Sequence, residues 1–302
     1  MRLLGFLIDG ILRRANRRVL NFSGAEEEPA LPPPDPRLRY LLYLHIPYCR
    51  VLCPFCSFHR VRFRRNRTEP YFESLRREVG FVSQSGYVFD ELYVGGGTPT
   101  VMPGELAQTI GMVRELHPVQ AVSVETNPDD LEKDGIQRLT EVGVNRVSVG
   151  VQSFDDALLA EMQRLEPYGN GAAIAGRLKK AQGSFDTLNV DMIFNFPHQT
   201  EDSLDRDLDM LISEIGADQV SWYPLMTAAS TRRAMLEDMG RVDYSREQRF
   251  YKRIVSRMSD AGYTRVSAWC FSRRPGLVDE YIADYDEYVG LGSGAFSYLQ
   301  GC

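Results

Sequence analysis

From residue 42 onward, short Val-rich apolar runs alternate with longer stretches whose apolar positions recur at helical spacing. The runs are LYLHI (42–46), ELYVGGG (91–97), AVSVET (121–126), RVSVGVQS (146–153), TLNVDMIFNF (187–196), QVSWYPLM (219–226) and TRVSAWCF (264–271). Between them the periodicity predicts helices near 69–84, 104–116, 130–142, 155–165, 171–182, 201–215 and 244–261. The pattern is a βα unit repeated six times, then a last strand. Such alternation predicts a parallel sheet, and strands this apolar suit burial on both faces. The expected fold class is α/β, a partial (β/α)6 TIM-type barrel, with a doubly wound sheet as second choice.

Residues 1–24 differ. Leu3, Leu4, Leu7, Ile8, Ile11, Leu12, Val19 and Leu20 form a helical stripe, and Arg13, Arg14, Arg17 and Arg18 lie largely off it. An amphipathic helix is expected, docked on its own domain or, as the alternative, in weak contact with a membrane surface. A charged, Pro-rich linker follows at 25–38. The core barrel is expected over 39–272, with 273–302 closing the site.

Composition narrows the class. The 302 residues carry a formal net charge of −6, so no global feature suggests nucleic acid. No apolar run is long enough to span a membrane, and Asp9 interrupts the one stretch that begins like a signal peptide. A cytoplasmic location is expected, where clustered thiols are metal ligands or redox groups more often than disulfides. Three of the five cysteines, Cys49, Cys53 and Cys56, fall on one loop after the first strand. With His59 they could make a Cys₃His zinc site. Alone they could hold a [4Fe–4S] cluster with one iron left open to a small molecule.

Other polar residues gather at strand ends: Gly95-Gly96-Gly97-Thr98-Pro99, Glu125-Thr126-Asn127-Pro128, Gln152-Ser153, Asp191 and Tyr223-Pro224. A barrel would bring these distant positions to one rim. Three glycines after a strand allow close approach of a ligand to the backbone, or form a tight turn. His45 reads more readily as a core histidine, and Cys270 and Cys302 as incidental thiols.

HIPYCRVLCPFCSF, YVGGGTPT, ETNP, SVGVQSF, NVDMIFNFP and YVGLGSGAFSY, in this order over about residues 40–299, resemble the radical SAM enzymes of the oxygen-independent coproporphyrinogen III oxidase family. That family includes heme-chaperone and methyltransferase relatives. The resemblance implies that Cys49, Cys53 and Cys56 hold a [4Fe–4S] cluster whose open iron binds S-adenosylmethionine. Reductive cleavage would then give a 5′-deoxyadenosyl radical that abstracts hydrogen from a tetrapyrrole-type substrate. It further implies that Tyr43, Gly96, Glu125 and Phe296 contact this S-adenosylmethionine. Phe55, Gly97, Thr98, Gln152, Arg164, Asp191 and Pro224 match positions that hold a second one in the oxidase, from which a methyl group could be transferred. Implied partners are a porphyrinoid and an electron donor such as flavodoxin or ferredoxin.

Two departures bear on the substrate. Phe58 stands where the oxidase has a further cysteine, which weakens the specific reading as an oxidase. The chain stops after GAFSYLQGC, where relatives continue into a C-terminal substrate-covering domain, so that domain is expected to be absent. The alternatives are a heme-binding chaperone with little catalysis and a zinc-stabilised binding module. HRVRFRRNR (59–67) places five arginines directly after the cysteine loop, either to meet propionates or as a solvated turn.

Overall fold

A computed structural model describes residues 31–228, 231–274, 285 and 287–300. The expected N-terminal helix, the linker up to residue 30, Cys302 and part of the 273–302 segment lie outside the described residues.

The Val-rich runs form strands because β-branched residues recur at every second position and bury one phase completely, while the other phase carries polar residues such as Glu125, Ser148, Asn189 and Asp191. They are β1 (Tyr40–Ile46), β4 (Phe89–Gly96), β5 (Ala121–Thr126), β6 (Arg146–Gln152), β7 (Thr187–Phe194) and β8 (Gln219–Pro224). Two short strands, β2 (Tyr48–Cys49) and β3 (Val61–Arg62), flank the cysteine loop and pair with each other. Beyond β8 come β9 (Thr264–Arg265), β10 (Cys270–Ser272) and β11 (Glu287–Leu291). The main sheet has the order β11-β1-β4-β5-β6-β7-β8-β10-β9. It is parallel from β11 to β8 and antiparallel over the last two pairings. Because β11 and β9 remain as edges, the sheet is an open arc, the expected partial (β/α)6 barrel with added margins.

Leu42, Leu44, Ile46, Val94, Val122, Val124, Val147, Val149, Val190 and Val220 have no solvent exposure. Each such burial contributes about 1.5–3 kcal/mol. The helices on the outside include α1 (Arg65–Gln84), α2 (Pro103–Leu116), α3 (Lys133–Glu141), α4 (Asp156–Glu161), α5 (Leu165–Tyr168), α6 (Gly171–Ala181) and α7 (Glu201–Asp209). After β8 come α8 (Arg232–Asp238) and α9 (Glu247–Asp260).

Three local expectations need correction. The run 264–271 is not one strand, because the Ser267 hydroxyl accepts from the amides of Trp269 (3.2 Å) and Cys270 (3.1 Å) and turns the chain between β9 and β10. The helix expected over 155–165 breaks at Gln163, which adopts φ +58°. Neither α8 nor β11 was expected. In the parallel sheet every strand runs the same way, so the loops after β1, β4, β5, β6, β7, β8 and β11 leave from one edge.

Candidate active site

At that edge the loops are tied through side chains. Arg164 sits at the start of α5, almost completely buried, and its Nη1 donates to Cys53 Sγ at 3.5 Å. Its Nη2 donates to Asn127 Oδ1 at 3.0 Å and to the Gly150 carbonyl. Since the guanidinium can only donate, Asn127 must present its oxygen to Arg164 and its Nδ2 to Thr98, 3.0 Å away. The Thr98 hydroxyl is thereby turned to donate to Cys49 Sγ at 3.7 Å. A single polar ring thus runs Cys49–Thr98–Asn127–Arg164–Cys53 across the loops after β4, β5 and β6. The Arg164 ring contact with Tyr168, 4.2 Å to the centroid, holds the guanidinium plane.

The glycine run lies against this ring. A Cβ on Gly97 would fall 2.7 Å from the Pro47 backbone and 2.9 Å from Cys49 Sγ. Gly96 has φ +120°, and a Cβ there would meet the His45 ring at 2.9 Å. The Gly96 amide donates to Glu125 Oε2 at 3.0 Å, while the Tyr93 hydroxyl donates to Oε1 at 3.0 Å. His45 Nε2 lies 3.0 Å from the His59 carbonyl and must donate to it, so Nδ1 accepts from the Tyr43 hydroxyl at 2.8 Å. Burial pulls the His45 imidazole below its ordinary pKa, in keeping with this neutral tautomer. His45 is therefore a satisfied interior histidine.

Deeper in the arc, Asp191 accepts from the Ser148 hydroxyl (2.7 Å) and from Asn189 Nδ2 (2.8 Å). Gln152 ends β6 at φ +78°, beside a register shift opposite Asp191 and Met192. A left-handed non-glycine residue costs about 1–3 kcal/mol and turns the side chain away from the pleat. A Cβ on Gly150 would meet the Gln152 amide nitrogen at 3.0 Å and Arg164 Nη2 at 3.8 Å, so these two groups share one space. Phe55, on the cysteine loop, packs edge-on against Phe196, with ring centroids 6.3 Å apart. Pro224 ends β8 in register with Phe194. Phe296 is not brought in: its side chain is 66% exposed.

The donor set can be tested against the expected metals. Burial pushes the Cys49 thiol up to about 11, the nearby Cys53 and Cys56 sulfurs acting in the same direction. Burial also raises Cys56. Such thiols bind as thiolates when a metal's charge offsets their desolvation. Among the described residues, no three His, Cys, Asp or Glu side chains gather around one point as ligands of a single ion. His59 turns its Nε2 to Ser293 Oγ at 3.1 Å. Three thiols on one loop, two of them accepting hydrogen bonds from Thr98 and Arg164, are a donor set that suits a four-iron cluster. Arg164 Nε is buried with no hydrogen-bond partner among the described residues, which leaves a cationic donor for an anionic group.

Three further contributors emerge: Asn127, marked in the sequence only by its place at a strand end, Tyr93, not singled out there, and Arg60, read only as one of five arginines. Asn127 lies within the quoted ETNP, but its bridging depends on three loops meeting. Tyr93 holds Glu125. Arg60 donates through Nη2 to the Cys53 carbonyl at 2.6 Å. A cleft of about 350 Å³ opens beside the cysteine loop, lined among others by Leu52, Pro54, Phe58, Arg60, Gln163 and Asp238.

The radical SAM superfamily model matches residues 43–211. The heme chaperone HemW of Bacillus subtilis is 29% identical over 86% of this chain and 71% of its own length. An oxygen-independent coproporphyrinogen III oxidase of Cereibacter sphaeroides is 29% identical over 83% of this chain and 58% of its own. The solved coproporphyrinogen III oxidase HemN of Escherichia coli superposes with a TM-score of 0.74 at 24% identity, over 87% of this chain and 65% of that one. In the described residues no helix is long and apolar enough to cross a membrane. Superfamily membership implies a [4Fe–4S] cluster and S-adenosylmethionine. The chain belongs to the radical SAM superfamily, within the family that includes the oxygen-independent coproporphyrinogen III oxidases and the HemW heme chaperones.

Proposed function

We propose that the chain is a radical SAM enzyme acting on a porphyrinoid, with Cys49, Cys53 and Cys56 as cluster ligands. The observation that carries this reading is the ring Cys49–Thr98–Asn127–Arg164–Cys53, which donates hydrogen bonds to two of the three sulfurs. When bound, the cluster and S-adenosylmethionine together supply a one-electron cleavage that generates a carbon radical for hydrogen abstraction. The protein's part is to bind, orient and exclude water. Tyr43, Gly96 and Glu125, the last fixed by Tyr93 and the Gly96 amide, help seat the first S-adenosylmethionine. Gln152, Arg164 and Asp191, with Phe55, Gly97, Thr98 and Pro224 around them, form the place for a second molecule. Phe296 would have to move inward to cover the first. Residues 39–272 would carry the barrel and 273–302 its closure.

A second reading, a heme-holding chaperone with little turnover, is favoured by Phe58. This ring is 70% exposed beside the cleft, an apolar face for a flat macrocycle. Anaerobic incubation of the reconstituted protein with a reductant, S-adenosylmethionine and a panel of porphyrinogens and hemes separates the two. Substrate-stimulated 5′-deoxyadenosine is the result expected of an enzyme. Tight heme binding without stimulation would leave the chaperone.

A further inference from the structure

The arginines after the cysteine loop divide into two groups. Arg60 points inward to the Cys53 carbonyl, and Arg65 pairs with Glu69 at 2.8 Å. Arg62, Arg64 and Arg67 are exposed. Among the described residues, no hydrogen bond or ion pair engages their guanidinium groups. Burial alternates along the segment: Val61 and Phe63 are half-buried, while Arg62 and Arg64 are exposed. In extended chain, alternate side chains point to opposite faces, so Arg62 and Arg64 share the exposed one.

This exposed face is joined directly to a cysteine. β3 pairs with β2 in parallel, with Arg62 opposite Cys49. The Phe63 amide donates to the Cys49 carbonyl at 2.8 Å, and the Val61 amide to the Pro47 carbonyl at 2.6 Å. The Tyr48 hydroxyl donates to the Arg67 carbonyl at 3.3 Å, holding the start of α1 against the same strand. One hydrogen bond thus separates the backbone of the basic strip from that of a proposed cluster ligand. The strip is a local concentration of positive charge on a chain whose net charge is −6.

We propose that Arg62, Arg64 and Arg67 form the docking surface for an acidic one-electron carrier protein, with β3 and Cys49 as the route inward; this rests on the cluster assignment above. The carrier gives up one electron and the cluster gains one, with no bond made and no proton required. Complementary charge raises the encounter rate and fixes orientation, and salt screens it. A carrier must bind transiently, so a small charged strip suits it better than a broad apolar face.

The test uses the full reconstituted chain and a triple variant, R62E/R64E/R67E. Stopped-flow bleaching of the visible cluster absorbance follows reduction by flavodoxin hydroquinone and, separately, by dithionite. The variant's second-order rate with flavodoxin should fall about tenfold or more at low ionic strength. Its dithionite rate should stay near wild type, and the wild-type flavodoxin rate should fall as salt rises. Equilibrium binding of flavodoxin to the chain, which needs no cluster, should weaken in parallel. If the triple variant fails to fold, R62Q and R67Q are measured singly. Flavodoxin binding and rate that ignore both salt and charge reversal would overturn the proposal. So would a loss confined to coproporphyrin III binding, which would make the strip a propionate site. Failure to assemble any cluster would refute the proposed function instead, leaving the binding arm to decide the docking surface.

Discussion

Asn127 shows how much one side chain can organise. It accepts from Arg164 and donates to Thr98, so it fixes the direction of every hydrogen bond from the guanidinium to Cys49. Removing it leaves a buried arginine nitrogen with only the Gly150 carbonyl and a buried hydroxyl without its donor. An unmade hydrogen bond in a buried setting costs about 1–3 kcal/mol. Asn127→Ala should therefore lower the cluster-free chain's resistance to urea by about that amount and reduce iron uptake on reconstitution. An unchanged urea midpoint together with full iron content would show that the ring is incidental. The sequence displayed the three cysteines and the glycines plainly, because their spacing is local. It placed Asn127 at a strand end but did not display its bridging, because its partners lie 29 and 37 residues away. Nor did it reveal that Phe296 would lie open to solvent, since that depends on the path of the chain after β11.

At the scale of elements, α7 steadies the end of β6. Asp207, fully buried on that helix, accepts from the Phe154 amide (2.7 Å) and the Ser153 hydroxyl (2.9 Å), directly after the strained Gln152. Burial pushes its carboxyl from 3.8 up to about 7, with Asp155 adding to the rise and the two hydrogen bonds opposing it. Between those values the folded chain holds a proton that the unfolded chain has lost. Stability from this group is full below about pH 4 and declines as pH rises to about 7, by at most about 1.4 kcal/mol per pH unit. Asp207→Asn, whose amide stays neutral, should flatten that part of the stability–pH curve when urea unfolding is followed at several pH values. A wild-type stability that rises steadily from pH 4 to 7, unaltered in the variant, would contradict the assignment. The six βα units were legible because short Val-rich runs alternate with stretches of helical periodicity. β11 was not, because a five-residue strand containing Gly290 pairs with β1, more than 240 residues earlier. The helix α8 was missed for a similar reason, having Met235 as its one buried residue.

The described strands form an open arc, parallel from β11 to β8, with the thiols, the glycine run and the buried arginine gathered at one edge. There, three thiolates would hold a four-iron cluster with one iron available to S-adenosylmethionine. The direct measurement is electron paramagnetic resonance of the reduced, anaerobically reconstituted protein, recorded with and without S-adenosylmethionine. A cluster signal should be present, should change when S-adenosylmethionine is added, and should vanish in Cys53→Ala while surviving in Cys270→Ala. A signal indifferent to S-adenosylmethionine, or a protein that takes up zinc in place of iron, would contradict it.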